Sequence, residues 1–201
     1  MTNRAEGQEK SREIVCAVLL AAGSGSRFGD PTHKLIADLR GRPVYQWALE
    51  ALLAAEFEHV VVVTGAATLD LPATVRAVHN PRFADGQATS LQCGVQAATE
   101  VGADSLIVGL ADQPFITSEA WRAVAASPAE IAVANYDGQR ANPVKFHRSI
   151  WSLLPSEGDQ GARSLIALRP ELVSDVACPG SFADIDTMED LQRWNSSTNS
   201  P

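Results

Sequence analysis

The sequence predicts an α/β fold built around a mainly parallel sheet. Short, continuously apolar runs alternate with segments whose apolar residues recur at helical spacing, and this alternation is typical of parallel strands joined by crossover helices. The runs at 14–20, 60–64 and 105–110 are apolar at nearly every position, as expected of strands that are buried on both faces. Such strands need helices on both sides of the sheet, so the predicted architecture has three layers.

Local signals place the remaining elements. Pro43 suits the first turn of a helix whose apolar face continues to about residue 55. Asp137 and Gly138 form a turn signal between two apolar segments, which predicts a small hairpin insertion. Thr187, followed by Asp190, marks the start of a last helix. In chain order we predict a strand at 14–20, a helix at 43–55, strands at 60–64 and 74–79, a helix at 89–99, a strand at 105–110, a helix from 117 to about 126, a hairpin at 131–146, a helix at 162–168, a strand at 171–177 and a helix at 187–194.

Length and composition exclude several classes of protein. The 201 residues fit one domain, which we place at 14–194, with flexible tails predicted at 1–13 and 195–201. The 24 acidic residues outnumber the 16 Lys and Arg residues, for a net charge of −8, which disfavours a non-specific nucleic-acid binder because phosphate neutralisation needs a basic face. No apolar run approaches the roughly 20 residues that span a bilayer. The N-terminus lacks the apolar core of a signal peptide, so we expect a cytoplasmic protein with neither membrane nor nucleic-acid partners.

The loop after the first predicted strand has the features of a phosphate-binding site. It reads Leu-Ala-Ala-Gly-Ser-Gly-Ser-Arg-Phe-Gly over 20–29, and Lys34 follows shortly. Glycines permit a tight turn that brings successive N–H groups onto an anion, and Arg27 and Lys34 add positive charge. The spacing matches neither the P-loop nor the dinucleotide fingerprint, since Phe28 takes the place of the third glycine. We predict that the loop cradles a triphosphate; for the glycines alone, a flexible turn is the alternative.

Two acidic segments follow later strands. Asp112 comes directly after the buried run at 105–110, and Asp184 and Asp186 share one side of an extended segment. Ligands of open α/β sheets bind beyond the carboxyl ends of the strands, and Mg²⁺ prefers oxygen ligands. Asp112 with either Asp186 or Asp184 therefore predicts a magnesium site. A role in a turn or helix cap is the alternative for each carboxylate.

Taken in order, these segments resemble the MobA-like nucleotidyltransferase family, and among its members the molybdenum cofactor cytidylyltransferases that serve the xanthine dehydrogenase class of enzymes. The resemblance runs from about Val15 to Trp194, and the order of the matching stretches makes it specific. Besides the glycine-rich loop and Lys34, those stretches are Gly-Arg-Pro-Val at 41–44, Asn-Pro-Arg-Phe-Ala-Asp-Gly-Gln-Ala-Thr-Ser-Leu at 80–91, Ala-Asp-Gln-Pro at 111–114, Tyr-Asp-Gly at 136–138, Asn-Pro-Val at 142–144, Gly-Asp-Gln-Gly-Ala-Arg at 158–163 and Asp-Ile-Asp-Thr at 184–187.

The resemblance implies a Rossmann-like three-layer fold, a nucleoside triphosphate on the glycine-rich loop, and Mg²⁺ on Asp112 and on Asp186, the Asp that precedes Thr. The Ala-Ala-Gly opening at 21–23 is similar to the cytidylyl branch, so the implied nucleotide is CTP; the guanylyl branch tends to have Ala-Gly-Gly. Gly86 and Ser90 match the segment on the base and ribose side.

Asn142 and Arg163 match segments that face the acceptor pterin. The residues that we assign to nucleotide and acceptor binding are Leu20, Ala21, Ala22, Gly23, Ser24, Gly25, Arg27, Lys34, Thr64, Gly86, Ser90, Asn142 and Arg163. The assigned catalytic residues are Arg27, Lys34 and Asp112, and the assigned metal ligands are Asp112, Asp186 and Asp184.

The implied reaction is Mg²⁺-dependent transfer of CMP from CTP to the phosphate of molybdopterin or of the molybdenum cofactor, with release of pyrophosphate. Three alternatives stay open at this point. They are guanylyl transfer to molybdopterin, cytidylyl or uridylyl transfer to a sugar or polyol phosphate, and a non-catalytic nucleotide-binding cofactor carrier or sensor. The resemblance also implies a molybdenum hydroxylase apo-enzyme, or its maturation chaperone, as a protein partner.

Overall fold

The computed structural model describes residues 13–25, 28 and 33–196 of the chain. The strands of this region, in chain order, are β1 (Val15–Ala21), β2 (Asp38–Leu39), β3 (Arg42–Pro43), β4 (His59–Thr64), β5 (Arg76–His79), β6 (Ser105–Leu110), β7 (Ile131–Tyr136), β8 (Gln139–His147) and β9 (Val173–Ala177). The α-helices are α1 (Val44–Leu53), α2 (Gln87–Glu100), α3 (Ser118–Ala125), α4 (Arg163–Leu168) and α5 (Met188–Ser196). Short 3₁₀ helices lie at Lys34–Ile36, Phe83–Asp85, Arg148–Leu153 and Pro170–Leu172.

Seven strands form one sheet in the order β5-β4-β1-β6-β8-β7-β9, and β2 pairs with β3 separately. Strands β5, β4, β1 and β6 are mutually parallel, β8 is antiparallel to both β6 and β7, and β9 is parallel to β7. The predicted α/β class with a mainly parallel sheet is confirmed. The predicted hairpin is β7–β8, and its turn residues Asp137 and Gly138 both have the positive φ that a tight hairpin turn needs.

Helices cover both faces of the sheet, because successive side chains of each buried strand point to opposite sides. On β1, Cys16 and Val18 pack in the core that includes residues of α2 and α4. Ala17 and Leu19 pack in the opposite core, against residues of α1 and α3. The consecutive apolar residues of β1 therefore fill two cores at once, which is why this strand lacks an apolar–polar alternation.

The chain changes direction at β1, and this opens a crevice at the carboxyl end of the strand. Helix α1 leads from β1 to β4 on one side, whereas α2 leads back to β6 on the other side. Ligands of open α/β sheets bind at such switch points. A third core cluster, which includes Leu39, Phe115, Ile185 and Leu191, packs α5 near the same edge and so holds the segment at 184–186.

The folded region differs from the predicted one at its ends. Asn195 and Ser196 belong to α5, and the Asn195 carboxamide donates to the Asp38 carbonyl and accepts from the Arg40 N–H. Glu13 accepts hydrogen bonds from Ser105 and Lys145 at the opposite edge of the sheet. The folded region thus extends beyond 14–194, while the rest of both predicted tails, 1–12 and 197–201, lies outside the described residues.

Other local differences are small. Pro43 immediately precedes α1 instead of occupying its first turn, and α2 begins at Gln87, two residues earlier than expected. Strands β2 and β3 were not predicted, since two-residue strands have too short a pattern to detect. No helix in the described ranges is both long and apolar enough to span a bilayer.

Candidate active site

A cleft of about 490 Å³ opens at the carboxyl ends of β1 and β6. Most of the predicted site residues line it, namely Leu20, Ala21, Ala22, Gly23, Ser24, Gly25, Lys34, Gly86, Ser90, Asp112, Arg163, Asp184 and Asp186. Lining residues that the sequence did not identify are Leu35, Phe83, Ala84, Gln87, Leu110 and Asp159. The switch point of the sheet and the predicted site therefore coincide.

The glycine-rich loop leaves β1 at Ala21 and is supported by the ring of His33. The Nδ1 atom of His33 accepts from the Leu35 N–H at 3.2 Å, so Nε2 carries the proton and donates to the Gly23 carbonyl at 2.8 Å. Gly25 has φ +64, and a Cβ there would lie 3.2 Å from the His33 ring. A glycine is thus required where the loop turns over His33. Arg27, the predicted second cation, lies outside the described residues.

Lys34 lies between two of the predicted metal ligands. It begins a 3₁₀ helix that His33 caps, and its Nζ atom is 2.6 Å from Asp112 Oδ2 and 2.7 Å from Asp186 Oδ1. Burial opposes the charge of the ammonium, but the attraction of Asp112 and the hydrogen bonds to both carboxylates outweigh it and raise the pKa of Lys34. Lys34 therefore remains a cation at neutral pH, and these two carboxylates come close enough to share one positive charge.

The two acidic segments are fastened to each other through the main chain. The Ile185 N–H donates to the Asp112 carbonyl at 2.9 Å, which ties the segment at 184–186 to the end of β6. Asp190 accepts from the Thr187 N–H at 3.0 Å while its own N–H donates to Thr187 Oγ1 at 3.1 Å. This reciprocal pair is the predicted capping box, and it fixes the start of α5 directly after Asp186.

The donor set fits a magnesium ion. Asp112 Oδ1 is buried and has no hydrogen-bond partner, so it presents a ligating oxygen that no protein group uses. Mg²⁺ is commonly held by one or two carboxylates together with substrate phosphates, and Asp112 and Asp186 supply such a pair. In the described ranges no group of three or more Asp, Glu, His or Cys side chains is arranged to hold a metal. The sequence predicts Asp112 with either Asp186 or Asp184, and this pair stays a prediction.

Asp184 lies beside that pair in a different environment. Burial raises the pKa of the Asp184 carboxyl, and the nearby charges of Asp112 and Asp186 raise it further, although the Gln113 side chain hydrogen-bonds to it. Gln113 is 3% exposed, and its Nε2 also donates to the Phe182 carbonyl at 3.2 Å. Its Oε1 accepts from Asn142 Nδ2 at 2.8 Å. Gln113 thus links the acidic cluster to the hairpin.

Asn142 does not line the main cleft but a smaller pocket of about 60 Å³ next to it. Arg163 and Leu20 line both cavities, so the two are adjacent. The smaller pocket is lined by apolar side chains, such as Val144 and Phe146, and by polar ones, such as Asn142 and Gln160. The site therefore has a main cleft with the charged groups and the glycine-rich loop, and a side pocket of mixed polarity beside Arg163.

The base-side segment packs tightly against the loop that carries the predicted acceptor residues. Gly86 has φ +106, and a Cβ there would lie 2.6 Å from the Gly158 carbonyl. The Ala88 N–H donates to the same carbonyl at 3.0 Å. Only glycine permits this approach, so the start of α2 and the segment at 158–163 form one wall.

Thr64 is the described site residue that lines neither cavity. It ends β4, and its carbonyl accepts from the Asn80 N–H at 2.8 Å. The Asn80 side chain in turn bonds to Thr89 and Ser90 of α2, and Ser90 lines the cleft. Asn80, Gln113 and His33 were missed as site residues because polar groups that act through hydrogen bonds within the protein leave no spacing pattern.

This protein belongs to the class of nucleotidyltransferases. The features that define the class here are a glycine-rich loop, a lysine and a pair of carboxylates at the carboxyl edge of an α/β sheet. The chain belongs to the MobA-like NTP transferase family, since the family model described as "MobA-like NTP transferase domain" matches residues 17–175.

Individual relatives agree with this membership. The chain is 30% identical to the purine catabolism protein PucB of Bacillus subtilis (strain 168), an alignment that covers 86% of this chain and 92% of PucB. It is 40% identical to the bifunctional enzyme IspD/IspF of Caulobacter vibrioides (strain NA1000 / CB15N) over 50% of this chain, but it spans only 28% of that protein.

Solved structures agree as well. Rv0371c from Mycobacterium tuberculosis H37Rv superposes with a TM-score of 0.75 at 26% identity, covering 92% of this chain and 99% of the other. A second structure of Rv0371c, in complex with manganese, has a TM-score of 0.71 at 25% identity over the same shares of the two chains.

Proposed function

We propose that this protein is a molybdenum cofactor cytidylyltransferase. The terminal phosphate of molybdopterin, or of its metal-loaded form, attacks the α-phosphorus of CTP. A P–O bond forms between the acceptor phosphate and the CMP group, the bond to the β-phosphate oxygen breaks, and pyrophosphate leaves with that electron pair. The acceptor phosphate is already deprotonated at neutral pH, so the protein supplies no general base.

The observation that carries the proposal is the Lys34 ammonium between Asp112 and Asp186, on the floor of a cleft walled by the glycine-rich loop. This arrangement supports a site for a triphosphate, because it sets one cation and two anions beside the glycine-rich loop. Lys34 neutralises the β- and γ-phosphates and the leaving pyrophosphate, while the loop N–H groups orient the chain of phosphates. Arg27, which follows the loop in sequence, is proposed as the second cation.

Asp112 and Asp186 would hold Mg²⁺, which when bound supplies charge neutralisation at the α-phosphate and the acceptor oxygen. The orphaned Asp112 Oδ1 supports this role for the first carboxylate. The manganese complex of Rv0371c, a family member at 25% identity, supports a divalent cation in the same fold. Asp184, which is partly buried beside Gln113, is proposed to shape the ligand pair instead of joining it.

Two observations support the choice of substrates. The Ala-Ala-Gly opening at 21–23 is similar to the cytidylyl branch of the family, which favours CTP. The relative that matches over most of both chains is named for purine catabolism. Xanthine is a purine, so that name agrees with service to enzymes of the xanthine dehydrogenase class. We further propose that the product passes to a molybdenum hydroxylase apo-enzyme or its maturation chaperone in the cytoplasm.

A polyol phosphate is the second candidate acceptor, since the aligned relatives include IspD/IspF and a 2-C-methyl-D-erythritol 4-phosphate cytidylyltransferase. The pterin is the first candidate because the side pocket beside Arg163 includes Val144 and Phe146, against which a flat ring system packs better than a chain of hydroxyl groups.

The test is release of pyrophosphate from CTP, GTP, ATP and UTP in turn. Each nucleotide is supplied with Mg²⁺ and with molybdopterin, with 2-C-methyl-D-erythritol 4-phosphate, or with no acceptor. The proposal predicts rapid release only from CTP with molybdopterin. Faster release from GTP would reassign the nucleotide, and release with the polyol phosphate would reassign the acceptor. If no combination releases pyrophosphate, the proposal is wrong and the protein is better described as a nucleotide-binding carrier or sensor.

A further inference from the structure

We infer that Asn80 is a positioning residue that directs the hydroxyl proton of Ser90 into the nucleotide cleft. The inference rests on the proposed function only in requiring that the cleft bind a nucleoside triphosphate. Asn80 follows β5 and is 2% exposed, so it cannot contact a ligand itself. Ser90 lies in the first turn of α2 and lines the cleft.

The hydrogen bonds of Asn80 fix the orientation of its carboxamide. Oδ1 accepts from the Arg82 N–H at 2.9 Å, which a carboxamide nitrogen could not do. Nδ2 therefore faces α2, where it donates to Thr89 Oγ1 and to Ser90 Oγ, both at 2.9 Å. Every polar atom of this side chain is used, and neither donor can be exchanged for an acceptor without breaking the bond to Arg82.

The consequence differs for the two hydroxyl groups that Asn80 contacts. Thr89 shares its single hydroxyl proton between the carbonyls of Gly86 and Arg82, at 2.9 and 3.0 Å. Ser90 accepts from Asn80, but within the described ranges its hydroxyl donates to no protein atom. A hydroxyl group has one proton, and with its lone pair facing Asn80 the proton of Ser90 is available to the cleft.

The available proton selects the chemistry of the ligand. It suits a hydrogen-bond acceptor on the nucleoside, such as a pyrimidine carbonyl or a ribose oxygen. Gly86 and Ser90 line the same wall of the cleft. The hydrogen bond from Thr89 to the Gly86 carbonyl fixes the start of α2, and Asn80 determines that the Ser90 hydroxyl acts as a donor toward the cleft.

Replacing Asn80 by Asp tests the polarity and changes the volume very little. The carboxylate can still accept from Arg82, but its second oxygen accepts where Nδ2 donated, so the Ser90 proton turns toward position 80. We expect the dissociation constant of Mg²⁺–CTP, measured by calorimetry without acceptor, to rise about tenfold, the cost of one lost hydrogen bond. The KM for the acceptor should stay unchanged, which a general loss of structure would not produce.

A double-mutant cycle with Ser90→Ala separates polarity from the added charge. If Asn80 acts through Ser90, then Asn80→Asp in the Ser90→Ala background weakens CTP binding no further. An added charge near an anionic ligand would instead weaken binding equally in both backgrounds, and that additive result would overturn the inference. Asn195→Asp is the matched control. It makes the same charge change and removes the Nδ2 donor to the Asp38 carbonyl, but Asn195 lines neither cavity.

Ser90→Ala alone keeps the inference testable if Asn80→Asp does not fold. An unchanged dissociation constant for CTP in that variant would overturn the inference while leaving the proposed function intact. Wild-type protein that binds none of the four nucleoside triphosphates would contradict both, and would be recognised before any variant is made.

Discussion

The parallel and antiparallel halves of the sheet contribute to the active-site cleft in different ways. In the parallel half, β1 and β6 end in loops whose own residues face the cleft, the glycine-rich loop and Asp112. In the antiparallel half, Asn142 of β8 lines a side pocket and connects to the cleft through Gln113. The parallel half therefore brings the glycine-rich loop and Asp112 to the cleft directly. The other half contributes Asn142 to the side pocket and, through the segment after β9, Asp184 and Asp186 to the cleft.

We propose separate tasks for the main cleft and the side pocket. The charged groups of the main cleft suit the phosphates of a nucleotide, and the side pocket at Asn142 suits a contact with the acceptor. Substitutions in the main cleft should then affect metal and nucleotide, and substitutions at the side pocket should affect the acceptor alone. The following predictions test that division.

Asp112→Asn should have the largest effect. It removes a charge from the pair proposed to hold Mg²⁺, so turnover in the pyrophosphate-release assay should fall about a thousandfold, or about 4 kcal/mol of transition-state stabilisation. The matched control is Asp175→Asn. It removes an exposed carboxylate of β9 that pairs with Arg140 of β8, and it should leave turnover unchanged. Turnover within tenfold of wild type for Asp112→Asn would move the metal site elsewhere.

Lys34→Met should separate metal binding from turnover. Loss of the cation that neutralises the phosphates should lower turnover by roughly two to three decades. Mn²⁺ should nevertheless bind more tightly in the absence of nucleotide, because the Lys34 ammonium no longer occupies Asp112 and Asp186. Weaker Mn²⁺ binding by this variant would show that Lys34 organises the carboxylates without competing for them.

Gln113→Leu should affect the acceptor side. Asn142 loses the partner that orients its carboxamide, so the acceptor KM should rise about tenfold while the KM for CTP stays within about twofold. The double variant with Asn142→Ala should bind acceptor no worse than Asn142→Ala alone. Gln92→Leu, which loses hydrogen bonds to the Leu154 and Pro155 carbonyls outside both cavities, is the control. A rise in the KM for CTP alone would place Gln113 on the nucleotide side.

Thr117→Ala should have the smallest effect and no effect on chemistry. Thr117 caps α3 by accepting from the Ala120 N–H at 3.2 Å, and it lines neither cavity. Chemical denaturation should show a loss of about 1 kcal/mol in the free energy of unfolding, the usual value for an N-cap. Turnover by the folded variant should equal that of wild type, and a large fall would mean that α3 supports the cleft.

The same contrast explains how much could be predicted from the sequence. The glycine-rich loop and Asp112 were found because they follow consecutive apolar residues, and the position of a loop after a buried strand places it at the ligand-binding edge of the sheet. Asp186 was found from its spacing to Asp184 and from the family resemblance. The parallel strands β1 and β6 bring the glycine-rich loop and Asp112 to one edge of the sheet, and the bond from the Ile185 N–H to the Asp112 carbonyl holds Asp186 there.

The remaining features depend on contacts between distant segments. Lys34 is 78 residues from Asp112 and 152 from Asp186, so its position between them follows from the fold and not from a local pattern. Asn80 and Gln113 are ordinary polar residues in sequence, and their roles arise from burial against hydroxyl and carboxamide partners. Thr64, which is among the assigned binding residues, ends β4 and lines neither cavity.

The most direct test of the central claim measures Mn²⁺ binding by electron paramagnetic resonance, with and without CTP. The measurement compares wild type with Asp112→Asn and Asp186→Asn. If the two carboxylates and the glycine-rich loop hold one metal–nucleotide complex, CTP should strengthen Mn²⁺ binding in wild type, and either substitution should abolish that gain. Equal Mn²⁺ affinity in all three proteins, with no response to CTP, would contradict the account.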